Sequence, residues 1–132
     1  MRAGIVALIV FLADFASAQA AAFFECVIKQ TPGLLDNGII EPNSTHVWYR
    51  NASRKLVIDK QSGHVVHERF AGWSWTLVQR GSSENALIAL GRTVVGTPDA
   101  MVFVYQYRAS PEVPFLIFSI TGVFEMVTGT CR

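Results

Sequence analysis

Short runs of alternating apolar and polar residues, separated by turn residues, make up most of the sequence after position 20. The alternation is plainest in two stretches, whose apolar or aromatic positions are Trp73, Trp75 and Leu77 in the first and Met101, Phe103, Tyr105 and Tyr107 in the second. A period of two is typical of a β-strand with one buried face. No window shows a persuasive apolar stripe at the helical period, and only 86–90 has the composition of a short helix.

The runs and the turns between them predict about eight short strands. A first strand over 23–29 carries Cys26, and Gly63 supplies the positive φ for a tight hairpin between 56–60 and 64–68. The other predicted strands cover 46–50, 72–79, 86–92, 101–108, 115–121 and 123–131, with at most a short strand or a helical turn near 34–35 or 39–40.

Evenly spaced short strands with hairpin-length connections predict an all-β protein built as an antiparallel meander. A meander of this length has two unpaired edges, and closure into a barrel removes them. We therefore expect a small barrel, closed or nearly closed. A two-sheet β-sandwich with adjacent termini is the alternative.

The two cysteines lie near the two ends of the chain, Cys26 in the first predicted strand and Cys131 in the last. In an oxidising compartment such a pair forms a disulfide. The bond requires the two Cα atoms to come within roughly 4.4–6.8 Å, so it places the terminal strands side by side. We expect a disulfide that clasps the barrel at its termini.

Residues 1–20 have the form of a secretory signal. One arginine precedes an apolar run over 5–13, and the small-x-small motif at 18–20 suits signal peptidase. The run is about nine residues long, whereas a membrane-spanning helix needs roughly 20. We expect cleavage after residue 20, a single β-domain over 21–132, a periplasmic or secreted location, and no stable membrane insertion.

Charge and motif content argue against several function classes. The net charge is +1 and the basic residues are scattered, whereas nucleic-acid binding needs a basic stripe. His64 and His67 lie three apart and would face opposite sides of a strand, so capping or exposed roles suit them better than a metal site. Glu25 and Glu125 suit surface charges. The sequons at Asn43 and Asn51 suit turns.

The sequence also lacks the motifs of nucleophilic catalysis and of phosphate binding. It has no nucleophile elbow, no cysteine left to pair with a histidine once the disulfide forms, and no glycine-rich cradle before a helix. We therefore expect a protein that is not an enzyme and that carries no cofactor.

Aromatic side chains are the remaining candidates for binding a ligand or a partner, and they are Trp73, Trp75, Phe103, Tyr105 and Tyr107. Alternation places each set on one face of its strand. We expect these side chains to point inward and fill the core. If they point outward, they form an apolar patch that also carries hydroxyl and indole N–H groups, as at protein interfaces. A barrel of this size also has room for one small ligand.

The chain resembles a group of small exported proteobacterial proteins to which no function is attached. The shared features are a cysteine in the first strand, a D-x-G turn at Asp36-Asn37-Gly38, a central hairpin like VIDKQSGHV, and a last strand that ends in TG-x-C at Thr128–Cys131. The resemblance implies a periplasmic or secreted β-domain and carries no functional residues across.

Two functions are compatible with an exported β-barrel that carries these aromatic residues. The first is an exported, non-enzymatic binding module that recognises another protein or a cell-envelope component through an aromatic face. The alternative is a carrier that holds a small apolar ligand in a cavity lined by Trp73, Trp75 and Phe103. The sequence leaves the partner, the ligand and the oligomeric state open.

Overall fold

The protein is all-β. Its structure, a computed structural model, describes residues 22–34, 37–41, 53–96, 98–108, 110–119 and 125–132. Within these residues the strands are β1 (Phe23–Gln30), β2 (Gly33–Leu34), β3 (Ile40–Glu41), β4 (Lys55–Asp59), β5 (Val65–Val66), β6 (Ser74–Gln79), β7 (Leu87–Arg92), β8 (Pro98–Val104), β9 (Val113–Ser119) and β10 (Glu125–Cys131). A 3-10 helix, Glu68–Phe70, connects β5 to β6.

Eight of these strands form one antiparallel sheet that curves into a nearly closed barrel. The order around the sheet is β5-β4-β1-β10-β9-β8-β7-β6, and β2 and β3 extend it beside β10. The two ends of this path, β5 and β6, are consecutive in the chain, so the incomplete seam of the barrel lies between them. The first and last strands pair in the middle of the path, as the barrel prediction required.

A disulfide between Cys26 and Cys131 joins β1 to β10. The two cysteines are directly opposite in the register. The neighbouring pair, Glu25 and Arg132, exchanges both backbone hydrogen bonds, at 2.9 and 3.0 Å. Cys26 and Cys131 therefore occupy a non-hydrogen-bonded pair, in which opposed side chains are closest. The predicted clasp is confirmed, and backbone pairing reinforces it.

The core lies on the inner face of the curved sheet. On β1 the buried residues Phe24, Cys26 and Ile28 alternate with solvent-facing residues. The same alternation on the other strands completes one apolar cluster with Leu56, Ile58, Val65, Phe70, Leu87, Ala89, Val102, Val104, Val113, Phe115, Ile117, Val127 and Cys131. Half of this cluster is valine or isoleucine, and Phe24, Phe70 and Phe115 are its aromatic members, so side chains fill the interior.

Two predicted elements end earlier than the sequence indicated. The strand expected over 64–68 is only Val65–Val66, because His67 caps the 3-10 helix: its Nδ1 accepts the backbone N–H of Arg69 at 3.1 Å. The strand expected over 101–108 starts at Pro98 and ends at Val104, where a turn begins. The stretch at 86–90 is strand, since β7 pairs on both sides.

Several predicted features lie outside the described residues. They are the strand over 46–50, the signal segment over 1–20, and the sequon asparagines Asn43 and Asn51.

Candidate functional site

The aromatic residues of β8 face outward, which corrects the expectation that they fill the core. Val102 and Val104 point into the barrel and are 0% exposed. Because successive residues of a strand face opposite sides, Phe103 and Tyr105 lie on the outside. Val102 is paired with Ala89 and Ile117, which are also buried, so the register assigns the valine side chains of β8 to the core.

The register brings further apolar side chains beside Phe103. One cross-strand row joins Ile88, Phe103 and Leu116, and the next joins Leu90, Met101, Phe118 and Met126. We call these seven residues, together with Tyr105, the outer apolar face. All eight side chains are only partly exposed, because neighbours in the rows shade one another. The face covers β7 to β10 and lies on the opposite side of the sheet from the core.

Three aromatic rings continue along one margin of this face. The rings of Phe103 and Tyr105 are nearly parallel, with centroids 6.5 Å apart and an interplanar angle of 14°. Tyr107 lies in the turn after β8, where it meets Tyr105 edge-on at 6.1 Å and is 41% exposed. The tyrosines therefore offer apolar ring surface with polar tips at the border of the outer apolar face.

A shallow groove borders the same face where β1 has an irregular register between Ile28 and Gln30. Its volume is about 430 Å³, and its lining includes Lys29, Gln30, Tyr105, Pro114, Leu116 and Thr128. Lys29 is 3.6 Å from the carboxylate of Glu112, and the hydroxyl of Thr130 donates to that carboxylate at 3.1 Å. The groove thus places the charged and polar side chains of Lys29, Gln30 and Thr128 beside the outer apolar face.

The outer surface of β1 and β4 is different, because charged residues alternate with apolar ones there. Glu25, Lys55 and Asp59 all point outward, between exposed residues such as Phe23. Glu25 lies 3.9 Å from Arg132, and both side chains are largely exposed. This surface charge matches the expectation for Glu25; the side chain of Glu125 lies outside the described residues. The outer apolar face is therefore confined to one side of the barrel.

Trp73 and Trp75 lie away from the outer apolar face and pack against the core. The ring of Phe70 meets both indoles edge-on, at 5.2 and 5.4 Å between centroids. The Trp75 indole lies over Gly91, where an added Cβ would come within 2.8 Å of the ring. Phe103 is on the other side of the sheet, so the cavity expected to be lined by both tryptophans and Phe103 does not form.

Trp75 carries an unpaired polar atom. Its Nε1 is buried and has no hydrogen-bond partner within the described residues. Buried indole N–H groups usually find an acceptor, so an unpaired donor here is unusual. Trp75 belongs to β6, the strand that borders the seam.

The apolar residues of β7 and β9 that complete the outer face were not among the binding residues predicted from the sequence. Their signal was present: 86–90 and 115–118 are continuous apolar runs, with no polar residue at alternate positions. A strand that reads as a continuous apolar run is typical of one covered on both faces. Ile88, Leu90, Leu116 and Phe118 are the outward half of those runs.

The titratable groups form no metal-binding cluster in the part of the chain that the structure describes. No three His, Cys, Asp or Glu side chains there are close enough together to hold a metal ion. His67 serves as the helix cap, and its Nε2 lies 2.8 Å from the carbonyl oxygen of Ser53. The backbone N–H groups of Ser62 and then Gln61 lower the pKa of Asp59, which organises the β4–β5 turn.

Comparison with protein-family models, with curated proteins and with solved structures finds no match to this chain. None of the helical segments within the described residues has the length and apolarity of a membrane-spanning helix. The function proposed below therefore rests on the geometry of the outer apolar face and of the groove beside it.

Proposed function

We propose that this protein is an exported, non-enzymatic binding module that holds another protein against the outer apolar face. The observation that supports the proposal is the pair of apolar rows across β7 to β10, on a sheet whose other side is already filled by the core. A contiguous apolar patch on a protein surface is characteristic of an interaction site. Export is supported by the signal-like segment over 1–20 and by the disulfide, which is typical of oxidising compartments.

The composition of the face favours a protein partner. Protein interfaces have an apolar centre that is poor in charge, enriched in aromatic residues and methionine, with a polar rim. Here Met101, Phe103 and Met126 lie in the rows, while Lys29 and Gln30 border them at the groove. Tyr105 and Tyr107 lie between the apolar rows and this polar border, where the ring can contact apolar groups of a partner and the hydroxyl can form a hydrogen bond.

The carrier alternative has less support. The barrel interior is occupied by the buried apolar cluster, and Phe103 is on the outer side. A ligand cavity would need the inward side chains to separate.

Capture from the exported fraction tests the proposed function. We expect the purified protein to retain a specific partner, and we expect Tyr105→Ala and Tyr107→Ala to release it with little change in the melting temperature. The matched control is Phe23→Ala, because Phe23 is an aromatic residue that is 49% exposed on the outer surface of β1, away from the face. Equal capture by wild type and both tyrosine variants, or equal loss in the control, would overturn the proposal.

A further inference from the structure

Within the described residues, the seam of the barrel leaves β6 with a free edge along its length. β5 and β6 end the order of strands, and β5 has two residues against the six of β6. The 3-10 helix and Trp73 carry the chain between them. β5 is too short to cover β6 along its length.

The backbone of β6 is paired on one side only. Within the described residues its ladder runs to β7 from Ser74 to Gln79, and none of its six residues makes a backbone hydrogen bond to any other element. The backbone groups directed away from β7 therefore have no partner among the described residues, and such a row is a template for adding a strand. β6 has the sequence SWTLVQ, without the proline or the charged residues that commonly protect free edges.

The core is also partly open beside this edge. In the other barrel strands the described inward side chains are buried, whereas Trp75 and Leu77 on β6, and Trp73 before it, remain partly exposed. Phe70 packs against both indoles from the seam. An apolar surface thus lies next to the unpaired backbone, and the unpaired Trp75 Nε1 lies within it.

We propose that β6 accepts an extended segment of a partner protein as an added strand. The segment's backbone would pair with the free edge, and its alternate apolar side chains would cover Trp73, Trp75 and Leu77. Affinity in such strand addition comes from main-chain hydrogen bonds, and selectivity comes from pockets for alternate side chains. This site is separate from the outer apolar face and goes beyond the proposed function.

A second copy of the chain suits this site less well than an extended segment. If β6 paired with β6 of another copy, the apolar side chains of that strand, Trp75 and Leu77, would already be packed in their own barrel. They could not cover the open aromatic surface. An extended segment can place its side chains there, because it has no core of its own.

Amide hydrogen exchange of the purified protein tests this inference. The probe is a capped peptide in which valine and threonine alternate three times between terminal lysines, and the control peptide has proline in place of each valine. In the free protein we expect fast exchange at the β6 amides that do not bond to β7. With free peptide at ten times its Kd, these amides should exchange about tenfold more slowly, because only about one site in eleven is empty.

Two variants locate the effect. Trp73→Ala should weaken the peptide-induced protection, whereas Phe103→Ala, on the outer apolar face, should preserve it. Saturable protection by the alternating peptide alone supports the inference, even if Trp73→Ala fails to fold. The inference is overturned if protection does not saturate, or if the proline peptide protects equally. It is also overturned if the amides are already protected in a concentration-dependent dimer, which would identify a second copy as the occupant.

Discussion

Gly63 meets two requirements at the tip of the β4–β5 hairpin. Its φ is +74°, which other residues adopt only with strain, and a Cβ placed there would lie 2.5 Å from the Cβ of Ala89. The turn therefore packs against the inner side of β7 and holds the short strand β5 near the seam. Any larger residue must both strain the turn and push β7 away.

We predict that Gly63→Ala destabilises the protein more than Gly72→Ala does. Gly72 also has a positive φ, +79°, but nothing lies within 4 Å of an added Cβ. The control should lose about 1–2 kcal/mol of unfolding free energy from backbone strain alone, and Gly63→Ala should lose about 1–3 kcal/mol more from overpacking. Denaturant unfolding of both variants measures the difference; equal losses would contradict the packing of the hairpin against β7.

Asp59 organises the same hairpin through its side chain. Its carboxylate accepts the backbone N–H groups of Gln61 at 2.7 Å and Ser62 at 2.9 Å. These bonds favour the charged form and lower the pKa of Asp59 below its ordinary value of 3.8, with Ser62 the largest cause.

We predict a pH-dependent stability difference between wild type and Asp59→Asn. Because the pKa is lower in the folded state, the contribution is present above pH 3.8 and is lost as pH falls through the lowered pKa. The melting temperatures should differ near neutral pH and converge in acid. Glu84→Gln, which removes an exposed carboxylate in the turn before β7, is the control. A difference that stays constant with pH would show that the charge of Asp59 does not matter.

The disulfide supports the pairing of β1 with β10. The bond joins residues 105 positions apart. In the chain-entropy model a loop of this length stabilises by up to about 4.7 kcal/mol, and strain commonly reduces that value. The two strands also pair through backbone hydrogen bonds, so we expect them to stay together when the bond is absent.

We predict that the double variant Cys26→Ser, Cys131→Ser still folds and loses about 2–4 kcal/mol of unfolding free energy. Denaturant unfolding of the variant beside the oxidised wild type measures this loss. An unchanged midpoint would contradict the role of the disulfide as a clasp.

The two faces of β8 make a second prediction at the scale of the element. Val102→Ala removes buried methyl groups and should cost on the order of 2 kcal/mol. Phe103→Ala removes a far larger side chain from the outer surface and should cost about 1 kcal/mol or less, the typical value of cross-strand contacts. Thermal unfolding distinguishes the two variants. A larger loss for Phe103→Ala would show that the outer apolar face is part of the folded core.

Alternation in the sequence predicted these strands well and their orientation poorly. The pattern of β8 separates Val102 and Val104 from Phe103 and Tyr105, but a period of two does not say which set is inside. The pairing with β7 and β9 decides, because its register places Val102 beside the buried residues Ala89 and Ile117. The early end of β5 was not predicted either, because it depends on a side-chain contact: His67 Nδ1 accepts the backbone N–H of Arg69 and caps the 3-10 helix.

At the scale of the whole molecule, the sequence was enough to predict a barrel clasped at its termini. The cysteine positions required the end strands to be neighbours, and the structure confirms it. The place of the seam could not be predicted, because it follows from the shortness of β5 and from the aromatic packing of Phe70 with Trp73. The candidate site was predicted only in part: Phe103, Tyr105 and Tyr107 mark it, whereas Trp73 and Trp75 belong to the seam.

Site-specific photo-crosslinking in cells that produce the protein tests the central claim most directly. A photoreactive amino acid replaces Phe103 on the outer apolar face or Val57 on the outer surface of β4, across the barrel. We predict a discrete crosslinked protein from position 103 and none from position 57. Equal crosslinking from both positions, or none from position 103 in cells where the protein accumulates, would contradict the assignment of the outer apolar face as the partner-binding surface.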